Sequence, residues 1–422
     1  MSHRFLALLF LISGLVILAV MTRNGDLLLI AAPLLAYLGA AILKFPAEAR
    51  LQARRSFQNS KPFTDQPVEV NVDLENSGPA TLHLYLSDPL SPGMQVLSGS
   101  HETRISLPPG ESASLRYTFQ PRRGEYSWET LGVIASDPLG LIETHYDVPA
   151  PGRVITYPEI KRLKQVHLKP RRMLQTTGPY LSGAGGAGTD FFGVREFRPG
   201  DPMSQVHWRL AARHPGSFFT REMEREEIAD IGLILDARTV NEISDGREPL
   251  FEHAIRATAS LARLFLRQGN RVGMLIFGSG ITCVYPGSGK GQLRKILRNL
   301  SSAAIGSNPS LNLFNYLPVR MFPGQSTIVV ISPVGLRDLG AFKRLRANGY
   351  QVLLVSPDPV SYGLERDRSD REYILAARLA RLERQVQLSS LRQLGIQVVD
   401  WQVEEPLQRA IHTALRRRRT RG

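Results

Sequence analysis

Two apolar runs of 17 residues lead the chain, 5–21 (FLALLFLISGLVILAVM) and 27–43 (LLLIAAPLLAYLGAAIL), parted by the polar pentapeptide TRNGD. Each sits at the short end of the window, about 17–25 residues, that crosses a hydrocarbon core as a helix. A transmembrane helical hairpin is therefore expected over residues 1–50, spanning the membrane through residues 5–43. A cleaved signal peptide fits less well, because no small-x-small site leads into a polar mature start and a second apolar run follows at once. Pro33 is tolerable inside a membrane helix. The period then changes. Residues 68–74 (VEVNVDL), 82–86 (LHLYL) and 113–119 (ASLRYTF) alternate apolar and polar positions, divided by turn signals at Asp88-Pro89, Pro92-Gly93 and Pro109-Gly110. Short period-two segments without helical stretches predict an immunoglobulin-like β-sandwich over 51–157.

Past residue 228 the pattern alternates between strand and helix. Residues 229–236 (ADIGLILD) form an apolar strand ending in an acid, and 250–268 carries helical spacing through Ile255, Ala259, Ala262 and Phe265 before Gly269. Strand-like runs at 271–277, 327–331, 350–355 and 396–399 alternate with helical runs at 290–300, 337–348 and 371–394. That order predicts a doubly wound α/β domain over 229–415, with its sites beyond the carboxyl ends of parallel strands.

Charge redraws the picture. The chain carries 52 Lys+Arg against 38 Asp+Glu, a net +14 that suggests nucleic acid. The excess, however, is concentrated in islands. Residues 1–55 hold six basic and two acidic residues, 153–172 hold seven and one, and 410–422 hold five arginines and no acid, whereas 56–152 is acidic, with five against twelve. No aromatic platform or reading helix accompanies these islands, so no nucleic-acid partner is expected. Arg4 before the hairpin and Lys44, Arg50, Arg54 and Arg55 after it, against Arg23 beside Asp26 in the turn, place both ends and all that follows in the cytoplasm. The polybasic tail, 416–422, reads as a solvated terminus, with contact to anionic lipid as the alternative. The single cysteine, Cys283, rules out an intramolecular disulfide and reads as a buried small hydrophobe. Lone histidines such as His83 and His101 have no spaced partner and read as strand residues.

Two glycine-rich segments resemble phosphate loops but lack the context for one. Residues 183–188 (GAGGAG) close on no Lys-Ser/Thr pair and read as a flexible lead-in; 286–291 (PGSGKG) reads as a turn capping the next helix. By contrast, residues 158–228 gather Arg195, Arg198, Gly200, Asp201, His207, Trp208, Arg213 and Glu222, a density unlike a linker. Arg–carboxylate pairs would lock such a loop, and Trp208 would anchor it against a core, with contact between some of these residues and a partner as the alternative. A hydrolase using Asp201 and His207 is the enzymatic alternative, though spacing specifies no nucleophile or third group.

The run 188–227 (GTDFFGVREFRPGDPMSQVHWRLAARHPGSFFTREMEREE) closely resembles the diagnostic stretch of the bacterial domain of unknown function 58 family. The hairpin, the segment PRRGEY at 121–126 and DPLGL at 137–141 agree with it. The resemblance implies a membrane-anchored protein of the bacterial inner membrane with a von Willebrand factor A-like carboxyl-terminal half. It also implies association with MoxR-type AAA+ ATPases in chaperone-like assembly or maturation of client proteins, and it supplies no catalytic residue and no cofactor. In von Willebrand factor A-like domains the first strand ends in Asp-x-Ser-x-Ser, which binds a divalent ion; here Asp236-Ala-Arg238-Thr239-Val240 stands in its place. Both serines are replaced, Arg238 would repel the ion, and Ser332-Pro333 follows a later strand where an aspartate is common. Arg238 would instead pair with Asp236. The expectation is an adaptor or scaffold, not an enzyme, with a metal-dependent adhesion-type protein as a further alternative.

Overall fold

A computed structural model describes residues 3–44, 49–138, 141–164, 174–214, 216–239, 248–306, 321–335, 338–363 and 371–419. The chain divides into two compact units, 1–157 and 158–422.

In the first unit, α1 (His3–Thr22) and α2 (Asp26–Lys44) are long and apolar enough to cross a membrane by length and composition. The turn between them is tight: Arg23 adopts a φ of 50°, and Asp26 N–H donates to Asn24 Oδ1 at 3.0 Å. Phe5, Ile12, Leu38 and Ala41 pack together with Leu141. Two four-stranded antiparallel sheets follow. One has the order β1 (Leu51–Phe57), β2 (Val68–Asn76), β6 (Ser112–Gln120), β4 (Gln95–Gly99); the other runs β5 (Glu102–Leu107), β3 (Leu82–Ser87), β7 (Gly124–Ser136), β8 (Glu143–Thr156). The period-two expectation is met side chain by side chain on β2, where Val68, Val70, Val72 and Leu74 are all fully buried. Each contributes about 1.5–3 kcal/mol by leaving water.

Arg55 corrects the charge reading. It is not a membrane-flanking cation but a buried one on β1: its guanidinium binds Asp88 and the carbonyl of Ala150, and stacks 5.4 Å from the Trp128 ring. Tyr117 Oη donates to the other Asp88 oxygen at 2.8 Å. A charge neutralised inside a core adds nothing to the flank, which leaves Lys44, Arg50 and Arg54 on that side.

In the second unit, β9 (Leu174–Glu196) and β10 (Phe219–Ile228) form an antiparallel ribbon. Between them lie a 3-10 turn (Met203–Gln205) and the short helix α3 (Trp208–Ala211). The glycine run 183–188 therefore lies in a strand rather than in a flexible lead-in; Gly185 and Gly186 pair with Glu224 and Met223 of β10, between register shifts. The rest is a six-stranded sheet with helices, a mixed α/β arrangement. Its elements are β11 (Asp230–Asp236), α4 (Leu250–Arg267), β12 (Arg271–Phe277), β13 (Ile281–Gly287), α5 (Gly289–Ser301), β14 (Thr327–Ile331), α6 (Leu339–Ala347), β15 (Gln351–Pro357), α7 (Pro359–Gly363), α8 (Arg371–Gln393), β16 (Gln397–Trp401) and α9 (Leu407–Arg419). The strand order is β13-β12-β11-β14-β15-β16; the strands are parallel except β13, which runs antiparallel to β12. Strand β11 is buried along its whole length, as a sheet covered on both faces requires.

Cys283 is exposed, not buried. It lies on the edge strand β13, in line with the exposed Ile281 and Tyr285, so the apolar run there marks an uncovered edge. The segment 286–291 does lead into α5, with Ser288 at the N-cap position.

Candidate functional site

Strand order reverses between β11 and β14, because the chain proceeds from β11 outward to β12 on one side and from β14 outward to β15 on the other. The carboxyl ends of two such strands frame the crevice in which open α/β sheets place their ligands. Asp236 is the last residue of β11, and Ser332 follows β14. Arg238, two residues past Asp236, turns back between them. Its Nε and Nη2 donate to Asp236 Oδ1 and Oδ2 at 2.9 and 2.8 Å, while Nη1 and Nη2 donate to Asp338 Oδ1 and Oδ2, both at 2.9 Å. The planar fork thus binds two carboxylates at once, which a lysine cannot do.

The remaining lone pairs are taken up as well. Ser332 Oγ donates to Asp236 Oδ2 at 2.6 Å and accepts from Val334 N–H at 3.1 Å; Gly335 N–H donates to Asp338 Oδ2 at 2.9 Å. The four side chains are almost completely buried, Arg238 at 5% exposure being the most open. Burial opposes the guanidinium charge, but the hydrogen bonds it donates to Asp236 and Asp338 outweigh it, and the pKa of Arg238 rises above its already high value. One cation against two carboxylates leaves a formal −1. Val334, β-branched and buried, holds a φ of 56° beside this cluster, a conformation costing about 1–3 kcal/mol.

A second buried arginine extends the network. Arg384 of α8 donates through Nη1 to Pro333 O at 3.0 Å and through Nη2 to Ser356 O at 3.1 Å and Asp400 Oδ1 at 2.7 Å; its Nε lies 3.2 Å from Asp358 Oδ1. Ser356 Oγ also donates to Pro333 O, at 3.2 Å. Between them, Arg238 and Arg384 tie the segments after β11, β14 and β15 and the end of β16 into one rim. Its hydroxyls and the Asp236 and Asp338 carboxylates are engaged in fixed hydrogen bonds, which hold these segments in one arrangement.

The sequence singled out Asp236 and Arg238 and anticipated their pairing. Val240 lies outside the described residues. Asp338 and Arg384 escaped sequence reading; an acid immediately before the helical run at 339–347 was the available signal for the first, and none marked the second.

The other gathered residues sit in the ribbon lobe. Arg195 forks onto Asp201, Nη1 to Oδ2 at 2.8 Å and Nη2 to Oδ1 at 2.7 Å. Arg198 N–H and Thr220 Oγ1 add bonds to Oδ2 at 2.9 and 3.2 Å. The Arg195 hydrogen bond first, then that of the Arg198 backbone, holds the Asp201 carboxyl well below the usual carboxylate range. Gly200 supplies the turn with a φ of 104°. His207 is elsewhere engaged: its Nδ1 accepts from Leu210 N–H at 3.2 Å, capping α3, and it is not among the described partners of Asp201. Trp208 is 55% exposed rather than packed in a core, and meets the equally exposed Phe218 edge-on at 6.5 Å. A lobe of two strands and one helical turn is too thin to enclose an indole. Arg213 is exposed, and Glu222 lies on β10 opposite Gly193.

Residues 193–322 match the family model described as Protein of unknown function DUF58. The DUF58 match begins in β9, covers the Arg195–Asp201 lock and the Asp236–Arg238 pair, and stops short of Ser332, Asp338 and Arg384. Among solved structures, a CARDB domain from Pyrococcus furiosus in complex with di-metal ions is 16% identical, spans 28% of this chain and 97% of its own, and has a TM-score of 0.19. A FixG-related protein from Vibrio parahaemolyticus is 11% identical, over 25% of this chain and 95% of its own, with a TM-score of 0.18. No curated protein matches.

Proposed function

We propose that the chain is a membrane-anchored scaffold or adaptor whose α/β half, von Willebrand factor A-like in kind, faces the cytoplasm and binds other proteins. The observation that carries this reading is the Arg238 lock. At the crevice where a parallel sheet offers its ligand site, a guanidinium fills the space between two carboxylates, and the hydroxyl beside them is already engaged. Such a rim holds the loops around it in a fixed shape for recognition, without bond-making and without a divalent ion. Its partner is a MoxR-type AAA+ ATPase, acting with this chain on client proteins in chaperone-like assembly or maturation. This partnership rests on family resemblance alone.

The membrane side follows from the cations: Arg4, Lys44, Arg50 and Arg54 flank the two apolar helices and direct the sandwich and α/β units to the cytoplasmic face of a bacterial inner membrane. The arginine tail adds attraction to anionic lipid of about 1 kcal/mol per basic residue near the surface. A hydrolase reading through Asp201 and His207 finds no support in the lobe, where each is hydrogen-bonded to other groups. Co-purification of the detergent-extracted chain with a AAA+ ATPase under nucleotide-bound conditions is the test. Repeated failure to recover one would sink the partnership.

A further inference from the structure

Helix α8 has two unlike halves. Its carboxyl-terminal half is packed: Arg384, Leu388 and Leu391 are buried against the sheet unit. Its outer surface carries four large apolar side chains left in water, Leu375 at 68%, Leu379 at 59%, Leu382 at 60% and Val386 at 64% exposure. Their spacing of four, three and four residues is a heptad stripe. Assigning Leu375 and Leu382 to d and Leu379 and Val386 to a puts the buried Arg384 and Leu391 at f and Leu388 at c, on the side facing the sheet. A single continuous helix therefore shows its own domain one face and presents to solvent a second face with the 3.5-residue period of a coiled-coil seam. Isolated surface leucines need no explanation, but an aligned row of four does.

The flanking charges say what covers it. Position g before Leu379 is Arg378, and position e after Leu382 is Glu383, both exposed. In a parallel two-stranded coil, g of one helix meets e of the other five residues further on, and 378 to 383 is that step. A second copy of the same helix, parallel and in register, thus forms two symmetric Arg378–Glu383 pairs across the seam. An antiparallel arrangement, which pairs g with g and e with e, sets Arg378 against Gln385 or its own kind, with no opposite charge. Leucine at both d positions and a β-branched valine at one a position favour two strands.

We propose that this face of α8 is a self-association seam through which two copies of the chain form a parallel, two-fold symmetric dimer. A parallel pair suits chains held in one membrane, since both copies then point the same way, and co-anchoring raises their effective concentration enough for a seam of two heptads to suffice. The inference does not depend on the ATPase partnership, and loss of either leaves the other testable.

The full-length chain, purified in detergent and reconstituted in nanodiscs, provides the test. Light scattering is expected to report a dimer. Leu382→Glu is expected to make it monomeric while leaving its thermal melt unchanged, because that side chain lies outside the core. Arg378→Glu and Glu383→Arg are each expected to weaken association by about tenfold, as two attractive pairs become repulsive, and the double swap to restore it. On a Cys283→Ser background, Ser389→Cys, at the next d position, is expected to cross-link on mild oxidation. A monomeric chain at micromolar concentration overturns the proposal, as does a dimer indifferent to Leu382→Glu that fails to cross-link. A monomer whose labelled Ser389→Cys is shielded only by anionic vesicles overturns it in favour of a helix lying on lipid.

Discussion

Both units bury an arginine, and they do so for different ends. In the sandwich, Arg55 meets one carboxylate, Asp88, inside a shell of Trp128, Tyr117 and a backbone carbonyl, so a single ion pair is folded into an apolar core. At the sheet ends, Arg238 meets one carboxylate two residues before it and another 100 residues after it, and Arg384 continues the chain of contacts from Pro333 to the end of β15 and to Asp400 of β16. The first arginine fills a core; the second spans a rim. A core pair is surrounded by side chains that can repack when it is altered, whereas the rim arginine joins loops from different βα units, and removing it leaves two buried carboxylates without their shared cation.

The largest effect is therefore expected from Arg238→Ala. It leaves Asp236 and Asp338 buried and facing each other, which costs about 3–5 kcal/mol, measured by denaturant unfolding of the detergent-solubilised chain. Millimolar magnesium is expected to recover part of that loss, since carboxylate oxygens suit a hard cation, and to leave the unaltered chain unmoved. A loss under about 1 kcal/mol would contradict the lock. Arg55→Leu is expected to cost less, about 2–3 kcal/mol at pH 7, because Asp88 has a way out. Burial already raises its pKa, against the pull of Arg55 and the Tyr117 hydrogen bond. Without Arg55 it rises further, and a raised carboxyl penalises folding only as pH climbs past its unfolded value. The variant should thus be less destabilised at pH 5 than at pH 7.

The same contrast marks what the chain reveals without its structure. Period-two burial on β2 was legible because each side chain's environment depends on its own strand. Asp236 and Arg238 were legible as a pair because they are two residues apart. Arg55 was misread as a membrane flank, since nothing local distinguishes a cation after a hydrophobic run from one at the start of a strand. Asp338 and Arg384 reach their partners across whole βα units, and only the strand order brings them to one rim. The outward row on α8 follows helical spacing that any amphipathic helix shares; which of its faces meets the sheet is decided by packing, not by period. Cys283 and Trp208 failed for a related reason: apolar residues on an edge strand or a thin lobe have nothing to bury against.

Guanidiniums stay charged across the accessible pH range, so acid sensitivity of the α/β unit should come from elsewhere. His253 of α4 is the group. Burial first, then Arg256 and Lys161, lowers its pKa to about 4, and its ring meets Tyr362 edge-on at 5.5 Å. Above the ordinary histidine value, 6.5, both folded and unfolded states are neutral there and pH has no effect. Between 6.5 and 4 the unfolded chain takes up a proton that the folded chain refuses, so stability falls with pH and levels off below 4. His253→Phe, which keeps the ring contact, is expected to flatten this limb while Arg238 and Arg55 contribute nothing to it; an unchanged pH profile would assign the limb to another group.

The smallest effect is expected in the ribbon lobe, whose arginine lock resembles the rim in geometry but not in burial. Arg195 grips Asp201 with the same two-pronged fork, yet its side chain is 34% exposed, and water screens what the rim conceals. Asp201→Asn keeps one acceptor for Arg195 and loses the charge, so a modest destabilisation is expected at neutral pH. Because Asp201 is held below the ordinary carboxylate value of 3.8, the stability it adds is present above that value and fades as pH falls through and below it. Wild type and variant should therefore converge in acid. The same variant separates the two meanings of the lobe. If Asp201 holds a loop in shape, Asp201→Asn retains partner binding in proportion to its retained fold, and His207→Gln, which disturbs only the α3 cap, behaves alike. If the pair instead performed chemistry, either change would abolish function while the melting profile stayed near that of the unaltered chain.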